Sequence, residues 1–241
     1  MTYCVGVMLE SGLIFASDSR THAGIDNVAS FTKLSLFEQA DQRVIVLLSS
    51  GNLASTQAVI STLRQNEVRP DCPSLGNAES MFDAALLVSD AMRLVNQRDN
   101  LQTTTKAVDF NGSFILGGQI RGEPPRLFRI YSEGNFIEAG DQTPYFQIGE
   151  TKYGKPIIDW AITRSSTLND ATKCILVSFD STMRSNLSVG MPIDLICYQG
   201  DSLAVSMRRR FDPGDSYFSA LSKEWNAGIC EVLSELTDLE W

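Results

Sequence analysis

The chain predicts an α+β fold of four layers (αββα): two antiparallel sheets stacked face to face, with a helix pair covering each outer face. Three observations carry this. The elements along the 241 residues run strands, two helices, strands, two helices, strands, without the strand–helix–strand alternation that builds a parallel doubly wound sheet. Hydrophobic residues at 43% and charged residues at 20% are ordinary globular values, enough to cover both sheets. No linker, low-complexity stretch or short repeat interrupts the chain. We therefore expect one domain over 1–241, with a C-terminal helical extension at about 214–241.

The elements follow in order. Tyr3 to Leu9 and Leu13 to Ser17 are β-branched or aromatic runs joined by Glu10-Ser11-Gly12, a tight hairpin. Gly24 closes the next turn, and Lys33 to Phe37 with Arg43 to Ser49 give two more strands. Gly51 marks a strand-to-helix corner before a helix from about Asn52 to Gln65. A loop with Pro70 and Pro73 leads to a helix over Glu79 to Gln97, its apolar side carrying Met81, Ala84, Ala85, Val88, Met92 and Val95. Strand patterns return at Ser113 to Gly117, Leu127 to Ile130 and, past the Ser132-Glu133-Gly134-Asn135 turn, Phe136 to Ala139. Gly149 opens a helical region through Lys155 to Ile162, and a further helix spans Asn169 to Met183. Ile193 to Tyr198 and Leu203 to Met207 form a last hairpin around Gln199-Gly200-Asp201. The amphipathic segment Ser216 to Leu239 closes the chain, with Trp225, Ile229, Val232, Leu233 and Leu236.

Several function classes are disfavoured by composition. A net charge of −9 argues against a nucleic-acid surface, and the Arg208-Arg209-Arg210 triplet reads as a solvated strand end. No apolar run approaches the ~20 residues that span a bilayer. The first residues lack the basic region of a secretory signal. Cys4, Cys72, Cys174, Cys197 and Cys230 are an odd set without CxxC spacing, expected as buried thiols in a reducing, cytoplasmic compartment. The single histidine, His22, lies in a Ser-Arg-Thr-His-Ala-Gly segment expected to be a turn. A Ser-His-Asp or Cys-His hydrolase would depend on it, and a zinc hydrolase would be short of ligands. No metal and no cofactor are expected.

Thr2 is the most informative residue. Removing Met1 exposes a hydroxyl and a free α-amine on one Cα, a nucleophile with its own base. The amine has an ordinary pKa of about 7.7–8.0, so a useful fraction is unprotonated near neutral pH. Small residues at position two are common, so this alone decides nothing. Asp18 ends an apolar strand and Lys33 begins the next one. A lysine beside the threonine would favour its alkoxide and lower the amine pKa, and Asp18 would hold that lysine charged and oriented. An ordinary surface Asp/Lys pair is the other reading of the same residues.

Thr2 behind Met1, then Phe15-Ala16-Ser17-Asp18-Ser19-Arg20-Thr21 and Lys33 at a strand start, resembles the opening of a proteasome-type β subunit. Ser50-Gly51-Asn52-Leu53-Ala54 is similar to that family's small-residue corner. Phe114-Ile115-Leu116-Gly117-Gly118, Pro125-Arg126-Leu127-Phe128 and the Glu133-Gly134 turn resemble its middle hairpins. The likeness continues through Gln147-Ile148-Gly149 and Arg184-Ser185-Asn186-Leu187-Ser188-Val189-Gly190 to about Met207. Within the family it looks closest to the bacterial Anbu (ancestral β subunit) group, because no propeptide precedes Thr2 and the C-terminus is long.

The resemblance implies an N-terminal nucleophile hydrolase: Thr2 as nucleophile, Asp18 and Lys33 as the charge pair, Gly51 as an oxyanion donor, and Ser188 near the terminal amine. A glycine opening a helix would also offer free N–H groups to an oxyanion. Two positions depart from the family pattern. Ser185 stands where the family usually has an aspartate, with Asp180 nearby but out of register, and Glu150 stands where it usually has a serine. Glu150 either supplies a replacement carboxylate near the amine or is a solvated glutamate favoured by a helix start.

The expected activity is threonine-type peptide hydrolysis inside a ring or helical homo-oligomer. The expected substrate is an unfolded polypeptide or peptide, and an ATP-dependent unfoldase is a further partner; neither nucleic acid nor membrane is expected. The alternatives are an amidohydrolase of a small amide with the same chemistry, and a catalytically weak assembly subunit of the same fold. The family's first substrate pocket would lie near Thr21, Ser49 and Leu53, which points to small or apolar side chains. The C-terminal segment with Trp225 and Trp241 is either a subunit contact or a helix packed on its own domain. Cys4 is expected as a buried strand residue on the same side as Thr2 and Gly6.

Overall fold

Strand β1 (Tyr3–Leu9) turns directly into β2 (Gly12–Asp18), and every residue of both is buried. That explains why neither run alternates with polar residues: one face meets helices and the other a second sheet. The computed structural model describes residues 2–22, 28–102 and 112–240. Met1, the turn expected at Gly24, and Trp241 lie outside the described residues.

After a ribbon of β3 (Arg20–His22) and β4 (Val28–Ser30) come β5 (Leu34–Gln39) and β6 (Arg43–Gly51), then α1 (Leu53–Glu67) and α2 (Met81–Gln102). Strands β7 (Gly112–Ile120), β8 (Arg126–Ile130), β9 (Phe136–Glu138) and β10 (Tyr145–Gly149) precede α3 (Lys155–Ala161) and α4 (Leu168–Ser185). The chain ends with β11 (Ile193–Gln199), β12 (Met207–Phe211) and α5 (Ser216–Glu235). One five-stranded sheet has the order β10-β1-β2-β11-β12 and the other β5-β6-β7-β8-β9, with antiparallel pairings throughout.

Three apolar clusters define the layers. Cys4, Phe15, Val46, Ile115 and Ile196 fill the space between the sheets. Val5, Val7 and Ile14 meet Ile158 of α3 and Ile175 and Phe179 of α4 on one outer face. Ile45, Leu47 and Phe128 meet Val59 of α1 and Met81 and Val88 of α2 on the other. Fully burying a side chain of this size contributes about 1.5–3 kcal/mol, so the strict in-out alternation along each strand is what holds the four layers in register. The αββα expectation is met.

Four element expectations are corrected. Tyr145–Gly149 is a strand, not a lead into a helix, and pairs with β1 from Tyr3↔Gly149 to Val7↔Tyr145. Arg20–His22 is a strand rather than part of a turn. The last strand is Met207–Phe211, not Leu203 to Met207: Asp201 and Leu203 take positive φ values of 63° and 47°, and pairing with β11 begins only at Met207↔Cys197. The final helix stops at Glu235, short of Leu239. The cysteines also divide differently from expectation, since Cys4, Cys174 and Cys197 are buried but Cys230 is exposed on α5.

Candidate active site

Cys4 packs between the sheets while its neighbours Tyr3 and Val5 face the helices. By the two-residue period of a strand, Thr2 shares the side of Cys4, at the mouth of the space between the sheets. The start of β1 is held from several directions. The Tyr3 amide donates to Asp18 Oδ1 at 3.0 Å. The Tyr3 hydroxyl lies 3.0 Å from Ser178 Oγ and accepts from Gln147 Nε2 at 2.7 Å. Beyond the last ladder pair, the Glu150 amide donates to the Thr2 carbonyl at 2.6 Å. Gly149 makes that approach possible: its φ is +86°, and a β-carbon there would lie 2.0 Å from Thr2 O.

Asp18, at the end of β2, is fully buried. Its Oδ1 accepts from Lys33 Nζ at 2.8 Å, and its Oδ2 accepts from the Gly190 amide at 3.4 Å. Burial pushes this carboxyl above its ordinary range, while the Lys33 ammonium and the Tyr3 and Gly190 amides pull it back. Lys33 Nζ also donates to Arg20 O at 2.6 Å. The lysine backbone is pinned in turn, its carbonyl accepting from the Ser49 amide at 2.9 Å and from Ser49 Oγ at 3.3 Å. The Asp18–Lys33 pair is therefore a buried one, with 0% and 6% exposure, and not the surface pair that the sequence also allowed.

A cleft of about 480 Å³ brings together Thr2, Thr21, Lys33, Ser49, Gly51 and Leu53, six of the residues singled out from the sequence. Ser50 and Thr56 also line it; nothing in the strand pattern marked them. Among the described residues Thr21 Oγ1 is buried without a hydrogen-bond partner.

Gly51 does not open the helix as expected. It ends β6 at φ +109°, and Asn52 is the N-cap of α1, its side chain accepting from the Ala54 and Ser55 amides. Two of the free N–H groups expected at this corner are thus already satisfied.

Ser188 lies half-buried in the loop after α4, its amide donating to Asn186 Oδ1 at 2.9 Å. That loop is tied to the site by the Gly190–Asp18 bond and by Arg20 Nη1 donating to Leu187 O at 3.0 Å. Ser185 is exposed at the end of α4, outside the lining of the cleft. Asp180 is engaged with Arg184 and Ser222.

Glu150 is buried, and the helix-start reading fails because α3 begins only at Lys155 with Gly154 as its N-cap. Its Oε1 accepts from the Lys152 amide at 3.1 Å and its Oε2 from Asn186 Nδ2 at 2.9 Å. Asn186 was not foreseen, and no local sequence signal could have found a partner 36 residues away.

Burial pushes the Cys4 thiol far above its ordinary pKa, with Asp18 adding to the effect, so it stays a protonated strand residue at neutral pH. Among the described residues no group of three or more His, Cys, Asp and Glu side chains comes together as a metal ligand set. No described helix is long and apolar enough to cross a membrane.

A scan of protein-family models and a search of curated proteins each found no match. Solved structures do match. Anbu (ancestral β-subunit) from Yersinia bercovieri is 47% identical, covering 99% of both chains with a TM-score of 0.94. A Gly-1 mutant of Anbu from Hyphomicrobium sp. strain MC1 is 48% identical over 100% of both chains, also at 0.94. The helical assembly of the Anbu complex from Pseudomonas aeruginosa contains a chain 48% identical, covering 99% of this chain and 98% of that one at 0.93. Identity of this order along essentially the whole length, on the same four-layer frame, settles the lineage: the chain belongs to the Anbu (ancestral β-subunit) family of proteasome-like proteins.

Proposed function

We propose that this protein is an N-terminal threonine hydrolase that cleaves peptide bonds once removal of Met1 frees Thr2. The observation that carries this reading is the buried Lys33 ammonium, held 2.8 Å from Asp18 and lining the same cleft as Thr2. A fixed positive charge beside a hydroxyl favours its alkoxide. In the proposed cycle Thr2 Oγ attacks the carbonyl while the α-amine, directly or through a water, takes the hydroxyl proton. The Gly51 amide steadies the oxyanion, the amine product leaves with the proton, and water hydrolyses the ester that remains. The unpartnered Thr21 hydroxyl and the small polar lining of Ser49, Ser50 and Thr56 suit an extended peptide with a small side chain in the cleft.

The assembly is proposed to be a homo-oligomer, helical like that of the Pseudomonas aeruginosa relative. Supporting this, α5 carries exposed apolar residues Trp225, Ile229, Val232 and Leu233, the first three at steps of four and three, the spacing of a helix seam. The reducing cytoplasm, where unpaired thiols persist, is the compartment we propose, with an unfolded chain as substrate and an ATP-dependent unfoldase as a further partner. One observation favours a catalytically weak assembly subunit instead: Ser185 stands outside the cleft, so no aspartate or replacement reaches the amine from that position.

Intact mass decides between these, measured before and after treatment with an epoxyketone or β-lactone directed at N-terminal threonine. A chain beginning at Thr2 that gains one inhibitor mass is expected. A chain that keeps Met1, or one that is processed but refuses the reagent, would sink the hydrolase reading in favour of the assembly subunit.

A further inference from the structure

We propose that Glu150 is the counter-ion of the α-amine that Met1 removal creates at Thr2, a positioning residue that acts through that amine. The proposal rests on the threonine-nucleophile reading above.

The argument begins with register. Strand β10 pairs Gly149 with Tyr3, so the next step of the antiparallel ladder sets Glu150 opposite Thr2. The Glu150 amide closes that step on the Thr2 carbonyl at 2.6 Å. The residue that would carry the new terminal charge is thus already held by the backbone of Glu150.

The second observation is a charge without an opposite. Glu150 is only 7% exposed, yet among the described residues no lysine or arginine forms an ion pair with it. Its oxygens accept one backbone amide and one side-chain amide, both neutral. A carboxylate has about four acceptor sites, and a buried charge is costly unless it is paired. The cations nearby are committed elsewhere: Lys33 to Asp18 and Arg20 O, and Arg20 to Leu187 O. Lys152 contributes its backbone amide and is itself exposed. An ammonium appearing on Thr2 is the cation that completes this arrangement.

Charged groups on the segments that meet at the start of β1 come from several elements. Strand β2 brings Asp18, already neutralised by Lys33 from the residue preceding β5. The turn after β10 brings Glu150. The loop after α4 brings neutral Asn186 and Ser188, and the Arg20 guanidinium is bound at Leu187 O. Of the described carboxylates on these segments, Asp18 is paired with Lys33, and Glu150 is the one without an ion pair. Asn186 holds Glu150 with its nitrogen and the Ser188 amide with its oxygen, so one side chain joins the loops on either side of the terminus.

An opposite charge at close range shifts a pKa by about 1–3 units. Removing the Glu150 charge should therefore lower the amine pKa and let the base form persist to lower pH. The test uses the full chain and the variants Glu150→Gln and Glu150→Ser; serine fits the same turn without charge should the glutamine variant fail to fold. The Thr2 amine is titrated by the pH dependence of its acylation with an amine-selective reagent, followed by peptide mass. That readout needs no peptidase activity. We expect the amine pKa to fall by about one unit or more in both variants, and the acid limb of Thr2 labelling by the epoxyketone to move down with it. A merely structural glutamate would change labelling without moving that limb. An amine that titrates at the same pH in all three proteins overturns the proposal. The two readings fail separately: a chain never labelled by the epoxyketone, whose amine pKa still drops in the variants, keeps the counter-ion and loses the hydrolase. A chain labelled normally with an unmoved amine pKa does the reverse.

Discussion

A β-carbon on Gly149 would sit 2.0 Å from the carbonyl oxygen of Thr2, in a backbone turned to φ +86°. The position of the candidate nucleophile therefore depends on a side chain that is missing from the neighbouring strand. Gly149→Ala must push Thr2 away and strain its own backbone, at a cost of roughly 1–3 kcal/mol. Misplacement by an ångström is enough to cost about 100-fold in a positioned reaction. We expect a folded variant with epoxyketone labelling reduced by about that factor, checked by timed mass spectrometry beside a thermal melt.

Asp18 and Lys33 form a buried pair, so removing one partner leaves the other charge stranded. Asp18→Asn should lower stability by about 3–5 kcal/mol in urea unfolding. The pH dependence carries its own sign. Burial raises the Asp18 carboxyl above its unfolded value of 3.8, so the folded chain holds that proton more tightly than the unfolded one. This group therefore favours the fold most below 3.8 and loses that contribution as pH rises through the folded value. Asp18→Asn lacks this falling contribution, so its stability should rise more steeply, or fall less, with pH across that acid window than the parent's. An unchanged slope would mean that Asp18 does not titrate there.

Gly51 ends its strand at φ +109° beside the cleft. Gly51→Ala adds a side chain in a conformation that L residues resist and disturbs the proposed oxyanion donor. Loss of such a donor costs about 2.7–4 kcal/mol of barrier, so the labelling rate should drop by about 100-fold or more while Met1 removal, read by intact mass, continues.

Leu233 of α5 and Leu236, its C-cap, are 62% and 61% exposed, so a charge there costs the isolated fold little, within about 0.5 kcal/mol. Leu233→Glu and Leu236→Glu should leave circular dichroism and melting unchanged and shift sedimentation to a smaller species. Retained assembly in both variants would place the subunit contact on another surface.

The cysteines offer a simple check of the layers. Cys230 is exposed, whereas Cys4 is buried with its thiol pushed far above the ordinary range. Iodoacetamide should modify Cys230 first and leave Cys4 untouched until the chain unfolds. Early modification of Cys4 would contradict the packing of β1 against the second sheet.

What the sequence determined by itself was whatever depends on residues close in the chain or on strict alternation. Sequence patterns marked all five described helices and most strands, because burial of one face leaves a pattern of two or 3.6 residues. Thr2, Asp18 and Lys33 were legible because each sits at the end of an apolar run, where a polar residue is conspicuous. Strand β10 was missed because a short edge segment such as Tyr145–Gly149 has too few alternations to stand out. Leu203 and Val205 misled for the opposite reason, mimicking a strand while a left-handed backbone at Leu203 holds them in a loop. Only the tertiary structure decided that the Asp18–Lys33 pair is buried, that Gly51 ends a strand with Asn52 capping the helix after it, and that Ser185 lies outside the cleft. It also decided that Glu150 belongs beside Thr2 with Asn186. The Asn52 cap is a local contact that its residue type permitted. The burial of the Asp18–Lys33 pair and the placing of Glu150 beside Thr2 and Asn186 come from segments brought together by sheet pairing and layer stacking, which no local pattern of side chains encodes.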